Sequence, residues 1–190
     1  MTLLYCIRHG YSLHNDLFKK IGEKAYRLPE CTDSYLLKSG IEDAMNFNLK
    51  YFSKLQNVDL VLVSPLTRAL QTADICFTGL NVPVIVLDIL KEWPNGLDTP
   101  NYRKNKSELK NRFSKFNFDY IKSEEDDNWN KEREETIDEL KIRINSFENF
   151  IRERKEMKIC VIGHTSFLST MIWGEEKNME HCRIYEKLVN

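Results

Sequence analysis

The sequence predicts an α/β protein with a mostly parallel central sheet and helices on both of its faces. Short apolar runs at residues 2–7, 58–63, 82–90 and 157–162 have the length and the Val, Ile and Leu content of buried strands. Segments with helical spacing lie between these runs, and this alternation is typical of a three-layer α/β/α arrangement. The length of 190 residues suits one domain, so we expect residues 1–190 to form a single domain.

Helices are predicted where a start signal precedes apolar residues at helical intervals. A capping-box spacing at residues 39–42 precedes a helix over about residues 40–55. A proline directly after the second strand predicts the start of a helix over residues 65–77. A second capping-box spacing at residues 136–139 precedes a helix over about residues 137–155.

Two segments are predicted to be cap or rim insertions in the single domain. Residues 16–37 show no sustained period, so we interpret them as a long loop with one helical turn. Residues 91–135 contain prolines, cations and many aromatic residues, and we expect short helices over one end of the sheet. A short helix to about residue 173 follows the fourth strand, and residues 181–189 are predicted to form an edge strand.

Composition and charge exclude several classes of function. Lys and Arg number 28 against 29 Asp and Glu, so no basic field predicts a nucleic-acid partner. The five cysteines are odd in number and form no CxxC pair, which favours a reducing, cytoplasmic location. We expect no signal peptide and no membrane partner, because every apolar run is short. The four histidines do not cluster with other metal ligands, so no metal site is predicted. The oligomeric state stays open.

Reactive side chains follow each of the four predicted strands. Because the carboxyl ends of parallel strands meet at one edge of a sheet, we expect these side chains to lie close together. Arginines beside helix N-termini form an anion site. Taken singly, each residue could be an ordinary surface group, but their coincidence favours a functional site. The residues are Arg8, His9, Ser64, Arg68, Glu92 and His164.

The motifs that carry these residues resemble the signature of the histidine phosphatase superfamily, also called phosphoglycerate-mutase-like. Residues 7–10 (Ile-Arg-His-Gly) with Asn15 resemble its first motif, and residues 64–73 are similar to its second. Residues 90–92 fall where the family keeps its acid, and residues 161–164 resemble its second histidine element. The resemblance covers nearly the whole chain in the right order. It implies the phosphoglycerate-mutase-like fold and chemistry on phosphate esters.

The resemblance also implies a role for each matching residue. His9 would be the nucleophile that forms phosphohistidine, with its second ring nitrogen bonded to a backbone carbonyl. Glu92 would be the general acid and base, which needs a raised pKa of its carboxyl. Phosphoryl transfer depends on positioning and charge neutralisation, so no metal or other cofactor is implied. The residues expected to bind the phosphoryl group are Arg8, Arg68, His164, Ser12, Asn15, Arg103 and Thr165.

Residues 92–129 resemble a smaller branch of phosphoglycerate-mutase-like phosphatases. That branch places an Asp and an Arg after the acid, which would be Asp98 and Arg103 here, and an acidic turn before a Trp. Tyr11 departs from the family pattern, because many members carry Glu or Gln at this position. The contacts on that side of the pocket are therefore left open.

The leading hypothesis is a phosphomonoester phosphatase, similar to histidine acid phosphatases, that acts on a small phosphorylated metabolite. The first alternative is a cofactor-dependent phosphoglycerate mutase, which would use the same catalytic residues. The mutases that the chain resembles carry a longer insertion between the acid and the second histidine, so the phosphatase is favoured. A second alternative is a catalytically silent phosphate-binding protein. The sequence does not identify the substrate.

Overall fold

The protein is built on a mixed sheet of five strands. The structure, a computed structural model, describes residues 1–190. The strand order is β3-β2-β4-β1-β5, in which β5 is antiparallel to β1 and all other neighbours are parallel. This confirms the predicted fold class and the predicted edge strand at the end of the chain. The strands are β1 (Thr2–Arg8), β2 (Leu60–Val63), β3 (Val84–Val86), β4 (Lys158–Gly163) and β5 (Ile184–Val189).

Six α-helices accompany the sheet, together with four short 3₁₀ segments at Gly22–Arg27, Pro29–Cys31, Asp88–Leu90 and Thr99–Asn101. No helix of the protein is both long and apolar enough to span a membrane. The helices are α1 (Leu13–Ile21), α2 (Lys38–Leu55), α3 (Thr67–Cys76), α4 (Lys106–Arg112), α5 (Ile137–Arg152) and α6 (Thr165–Trp173).

The alternation of side chains along the strands produces two apolar cores, one on each face of the sheet. In β1, Tyr5 and Ile7 pack with residues of α2 and α3, whereas Leu4 and Cys6 pack with residues of α5 and α6. Successive strand residues point to opposite faces, so strands buried on both faces must be apolar throughout. The protein therefore has the expected three layers, and the carboxyl ends of β1 to β4 share one edge.

The segment after β1 is more regular than predicted. The interpretation of residues 16–37 as a long loop is wrong, because α1 extends over Leu13–Ile21 and two 3₁₀ segments follow it. The Asn15 side chain accepts a hydrogen bond from the Ser12 backbone N–H (3.2 Å), in the manner of a capping box. An Asn replaces the usual Glu or Gln at this capping position, so the start signal is hard to recognise in the sequence.

Several predicted boundaries are wrong for reasons of tertiary structure. The capping box at residues 39–42 does not exist, because α2 begins at Lys38. The helix predicted over residues 65–77 begins at Thr67, whose backbone N–H and hydroxyl both donate to Asp33 at 2.7 Å. A residue distant in sequence therefore caps this helix. Strand β3 is also shorter than predicted, since residues 88–90 form a 3₁₀ turn.

The capping box at Thr136 and Glu139 is confirmed. Thr136 Oγ1 accepts a hydrogen bond from the Glu139 backbone N–H (3.3 Å), and the Glu139 carboxylate accepts one from the Thr136 N–H (2.8 Å). Helix α5 begins at the next residue, Ile137. The sequence predicts this helix start correctly because the two partners of the capping box are only three residues apart.

A buried ion pair holds the segment between β3 and α5 against the body of the protein. Lys91 Nζ lies 2.6 and 2.7 Å from the two carboxylate oxygens of Asp126, and both side chains are fully buried. Asp126 also accepts a hydrogen bond from the Arg103 backbone N–H (2.9 Å). Burial lowers the pKa of Lys91, and the neighbouring Asp126 opposes that effect. The pair therefore fixes the backbone directly beside Glu92.

We expect Lys91→Met to destabilise the fold strongly, because it leaves the Asp126 carboxylate without its cation in the interior. Removing one partner of a buried pair costs about 3–5 kcal/mol in the free energy of unfolding. Guanidinium denaturation followed by circular dichroism measures this loss. In Lys91→Met/Asp126→Asn no bare charge remains, so part of the stability should return. Lys104→Met removes a half-exposed cation paired with Glu108 and serves as the control. A loss no larger than in that control would contradict the prediction.

Candidate active site

A cavity of about 560 Å³ opens at the carboxyl edge of the sheet. Arg8 and His9 reach it from the end of β1, and Thr165 and Ser166 reach it from the start of α6. Its other walls come from α1, the following 3₁₀ turn, the segment after β3 and the loop after α6. Of the predicted site residues, five line this cavity: Arg8, His9, Asn15, Glu92 and Thr165.

His9 is held in one tautomer. Its Nδ1 lies 2.7 Å from the Gly10 carbonyl oxygen, which can only accept, so Nδ1 carries the proton. This arrangement matches the expected contact with a backbone carbonyl. Nε2 is therefore unprotonated, and it accepts a hydrogen bond from Arg68 Nε (3.2 Å). Burial and the cationic Arg68 lower the pKa of His9 well below its usual range. The imidazole therefore stays neutral, with Nε2 unprotonated, at neutral pH.

Gly10, the residue after His9, lies where the loop after β1 closely approaches the backbone of α2. A Cβ atom on Gly10 would lie 2.5 Å from the Gly40 carbonyl oxygen near the start of α2. Real Cβ atoms do not come so near to a backbone oxygen. Gly10 is therefore explained by close packing between the loop after β1 and α2.

Arg68 is fully buried beside His9, and hydrogen bonds to other protein groups orient its guanidinium. Its two terminal nitrogens donate to the Pro100 carbonyl (2.6 Å) and to Asn101 Oδ1 (3.0 Å). Asn101 in turn donates to the Pro94 carbonyl (3.0 Å), which links Arg68 to the segment after Glu92. Burial lowers the pKa of Arg68 to about 10, so it remains a cation at neutral pH. The sequence analysis did not identify Asn101, because an Asn in a short 3₁₀ turn has no distinguishing pattern.

Four polar atoms of residues at this site are buried and have no partner within the protein: Arg8 Nε, Trp93 Nε1, His164 Nδ1 and Thr165 Oγ1. His164 lies with its ring centroid 5.1 Å from that of His9, and its Nε2 bonds to Ser64 Oγ (2.8 Å). Buried polar groups without partners are uncommon in folded proteins. Together with the buried cation Arg68, they indicate a site for an anion.

Glu92 lies at the N-terminus of α6, six residues beyond the end of β3. Its carboxylate accepts hydrogen bonds from the backbone N–H groups of Trp93 (2.8 Å), Ser166 (3.1 Å) and Phe167 (3.2 Å). Burial raises the pKa of Glu92, and these hydrogen bonds oppose that effect. The net direction is the one expected for a general acid. Arg143 of α5 fixes the preceding backbone by donating to the carbonyl of Lys91 (2.5 Å).

All four histidines of the chain gather at this site, although only two were predicted to do so. The ring centroids of His14 and His181 lie 5.8 and 5.6 Å from that of His9. His181 Nδ1 donates to the His9 carbonyl oxygen (2.6 Å), so it supports the backbone that carries His9. His14 stands next to Asn15 in the first motif, a proximity that could have identified it. No sequence signal identifies His181.

Four predicted phosphate-binding residues do not line the cavity. Arg68 and His164 lie buried beside His9, whereas Ser12 and Arg103 bond to other protein groups. The structure does not support this role for Arg103, whose guanidinium bonds to Asp88 (3.0 Å) and to backbone carbonyls of residues 123–125. It stabilises the loop fold because a buried guanidinium needs all of its donors satisfied. Ser12 is buried behind the cavity wall, and its hydroxyl donates to Asn15 Oδ1 (2.7 Å). Tyr11 packs edge-on against His181 and does not line the cavity either.

The fold and the site together define a protein of the histidine phosphatase kind. The chain belongs to the histidine phosphatase superfamily (branch 1), whose family model matches residues 4–181. This membership supports a phosphatase- or mutase-type enzyme, as the resemblance of the motifs implied.

Similar proteins agree with this assignment. The chain is 28% identical to phosphoglycerate mutase-like protein 1 of Arabidopsis thaliana, over 87% of this chain and 68% of that protein. It is 25% identical to a second phosphoglycerate mutase-like protein of the same plant, over 89% of this chain and 73% of that protein.

Solved structures share the fold. A putative alpha-ribazole-5'-P phosphatase from Escherichia coli superposes with a TM-score of 0.62 at 23% identity, over 90% and 78% of the two chains. Phosphoserine phosphatase in complex with 3-phosphoglyceric acid, from Entamoeba histolytica, superposes with a TM-score of 0.60 at 20% identity. This alignment covers 98% of the present chain and 90% of that chain. At these identities the likeness concerns the fold alone.

Proposed function

We propose that the protein is a metal-independent phosphomonoester phosphatase that works through a phosphohistidine on His9 and acts on a small phosphorylated metabolite. The observation that carries the proposal is the geometry of His9. His9 lines the cavity, and its unprotonated Nε2 lies 3.2 Å from Nε of the buried cation Arg68. A nucleophile fixed in the reactive tautomer beside an anion site is what transfer of a phosphoryl group requires.

In the first step His9 Nε2 attacks phosphorus, and the bond between phosphorus and the ester oxygen breaks. Arg8 and Arg68 would neutralise the charge of the phosphoryl oxygens. His164 would donate a hydrogen bond to the phosphoryl group from Nδ1. The Ser64 hydroxyl, which bonds to the other ring nitrogen, favours this tautomer. Ser64 Oγ accepts from the Leu66 N–H (3.4 Å), and its own proton would be donated to His164 Nε2. The ring proton of His164 would then lie on Nδ1, the atom without a protein partner.

Glu92 would deliver the proton that the leaving alkoxide needs. Its Oε1 receives the N–H groups of Trp93 and Phe167, whereas Oε2 receives only the Ser166 N–H at 3.2 Å. Oε2 is therefore the oxygen that can hold a proton. In the second step the carboxylate would take a proton from water, whose oxygen attacks phosphorus and breaks the bond to His9. Phosphate leaves, and both His9 and Glu92 return to their starting protonation.

The alternative function is that of a cofactor-dependent phosphoglycerate mutase, which is favoured by the names of the Arabidopsis relatives. A panel of phosphorylated metabolites in EDTA tests the proposal, with release of inorganic phosphate as the measurement. Transfer between the positions of monophosphoglycerate, dependent on added bisphosphoglycerate and faster than phosphate release, would favour the mutase. Absence of turnover on every ester, including p-nitrophenyl phosphate, would favour a silent phosphate-binding protein.

We expect Arg68→Ala to weaken inhibition by vanadate by about 10- to 100-fold, because a charge-assisted hydrogen bond to the anion is lost. The inhibition constant against p-nitrophenyl phosphate hydrolysis is the measurement. Arg152→Ala is the matched control, since Arg152 is a half-exposed cation on α5 paired with Glu148. Its inhibition constant should stay at the wild-type value. An unchanged constant in Arg68→Ala would show that the anion binds elsewhere.

A further inference from the structure

Four polar side chains at and behind the cavity wall next to His9 form one hydrogen-bonded chain: Ser12, His14, Asn15 and Ser34. His14 lines the cavity and is almost completely buried, and the proposed mechanism assigns it no step. Its Nδ1 lies 2.6 Å from Ser34 Oγ and 2.9 Å from Ser12 Oγ. Its Nε2 lies 3.1 Å from Asn15 Nδ2. Both ring nitrogens of this buried imidazole are therefore engaged by polar side chains, one of which, Asn15, also lines the cavity.

The protons of this chain can be assigned from one unambiguous donor. The Ser12 backbone N–H donates to Asn15 Oδ1 (3.2 Å), and the Ser12 hydroxyl donates to the same oxygen (2.7 Å). The Asn15 carboxamide is thereby oriented with Nδ2 toward His14. Because an amide nitrogen only donates, His14 Nε2 must accept and carries no proton. His14 Nδ1 then carries the ring proton and donates to Ser34 Oγ.

This assignment leaves one N–H of Asn15 for a ligand. One proton of Nδ2 is bonded to His14, and the protein supplies no other partner for this nitrogen. Asn15 lines the cavity together with His9. We propose that His14 is a positioning residue that restrains the Asn15 carboxamide, so that its second N–H binds an oxygen of the phosphoryl group. The proposal rests on the proposed function.

The restraint matters because a carboxamide turns easily about its terminal torsion. Ser12 holds the oxygen of Asn15, and His14 holds the nitrogen, so the donor is oriented before the anion arrives. A preorganised donor loses less rotational freedom on binding than a mobile one. Burial, together with Arg68 and Arg8, lowers the pKa of His14, which keeps the ring an acceptor at neutral pH.

A double-mutant cycle on vanadate binding tests the proposal. The variants are His14→Phe, which keeps a ring of similar size without an acceptor, Asn15→Ala, and their combination. Isothermal titration calorimetry gives the dissociation constant of vanadate without need of turnover. We expect each single variant to weaken binding by about tenfold, and the double variant by about tenfold as well, because both changes act through the same Asn15 N–H. Losses that multiply to about 100-fold would overturn the proposal, since His14 would then act independently of Asn15.

His14→Gln separates positioning from packing. The Gln side-chain oxygen can accept from Asn15 Nδ2, so most of the affinity should return in this variant but not in His14→Phe. If His14→Phe binds vanadate as the wild type does, the ring merely packs beside Tyr26 and the proposal is wrong. Thermal unfolding followed by circular dichroism verifies that each variant is folded. Phosphohistidine on wild-type His9 is measured in parallel, so failure of the proposed function is recognised separately from failure of the cycle.

Discussion

His9→Ala is expected to abolish turnover while the fold stays intact, with kcat lower by at least about 10⁴-fold. The imidazole is the attacking group in the proposed reaction, and no other side chain places an unprotonated nitrogen against Arg68. The side chain contributes little to the fold, because it lies past the end of β1, outside both apolar cores. In the variant Arg68 keeps its bonds to Pro100 and Asn101.

Labelling with phosphate shows whether His9 is the nucleophile. The wild-type protein should acquire acid-labile, hydroxylamine-sensitive phosphate, and His9→Ala should not. All four histidines lie near the cavity, so the chain offers no remote histidine as a matched control. Circular dichroism and the thermal midpoint of the variant therefore serve as the control for folding. Stoichiometric label on any other residue of the wild type would refute the assignment.

Glu92→Gln is expected to have the second largest effect, and its size should depend on the leaving group. An alkyl alcohol needs a proton in the transition state, so hydrolysis of an alkyl phosphate should fall by about 10²–10⁴-fold. Nitrophenolate leaves without a proton, so formation of phosphohistidine from p-nitrophenyl phosphate should fall far less. Hydrolysis of the intermediate also loses its general base. A burst of nitrophenol ahead of slow turnover is therefore the expected signature in stopped-flow measurements.

Asp98→Asn is the matched control for Glu92→Gln. Asp98 lines the same cavity, and burial raises its pKa to about 6, although Arg27 lies 2.9 Å away. Asp88, another acid near this position in the sequence, pairs with the buried Arg103 and does not line the cavity. Equal losses on both substrates without a burst would show that Glu92 only positions its neighbours. A burst in Asp98→Asn instead would make Asp98 the general acid.

The local sequence contains the information for the layered fold and for the centre of the site. Apolar strands buried on both faces are visible as continuous runs, and the side chains after β1 and β4 share one sheet edge as a consequence. The capping box at Thr136 is visible for the same reason, because its two partners lie within one turn of the chain. Such features depend only on residues that are close together in sequence and on the regular spacing of apolar residues. The placement of His9, Arg68 and His164 beside one another follows from topology that these patterns imply.

Tertiary structure alone decides how those side chains are held and which nearby residues take part. Asp33 caps α3, Asn101 holds Arg68, and His181 supports the His9 carbonyl. Each partner comes from a short turn or loop far away in sequence, where no periodic pattern distinguishes a buried polar residue from a solvated one. Arg103 illustrates the converse, because a cation expected at the phosphate site binds an acid and carbonyls within its own loop. Such buried polar groups find partners only when the chain has folded, since burial sets the cost of leaving any donor or charge unpaired.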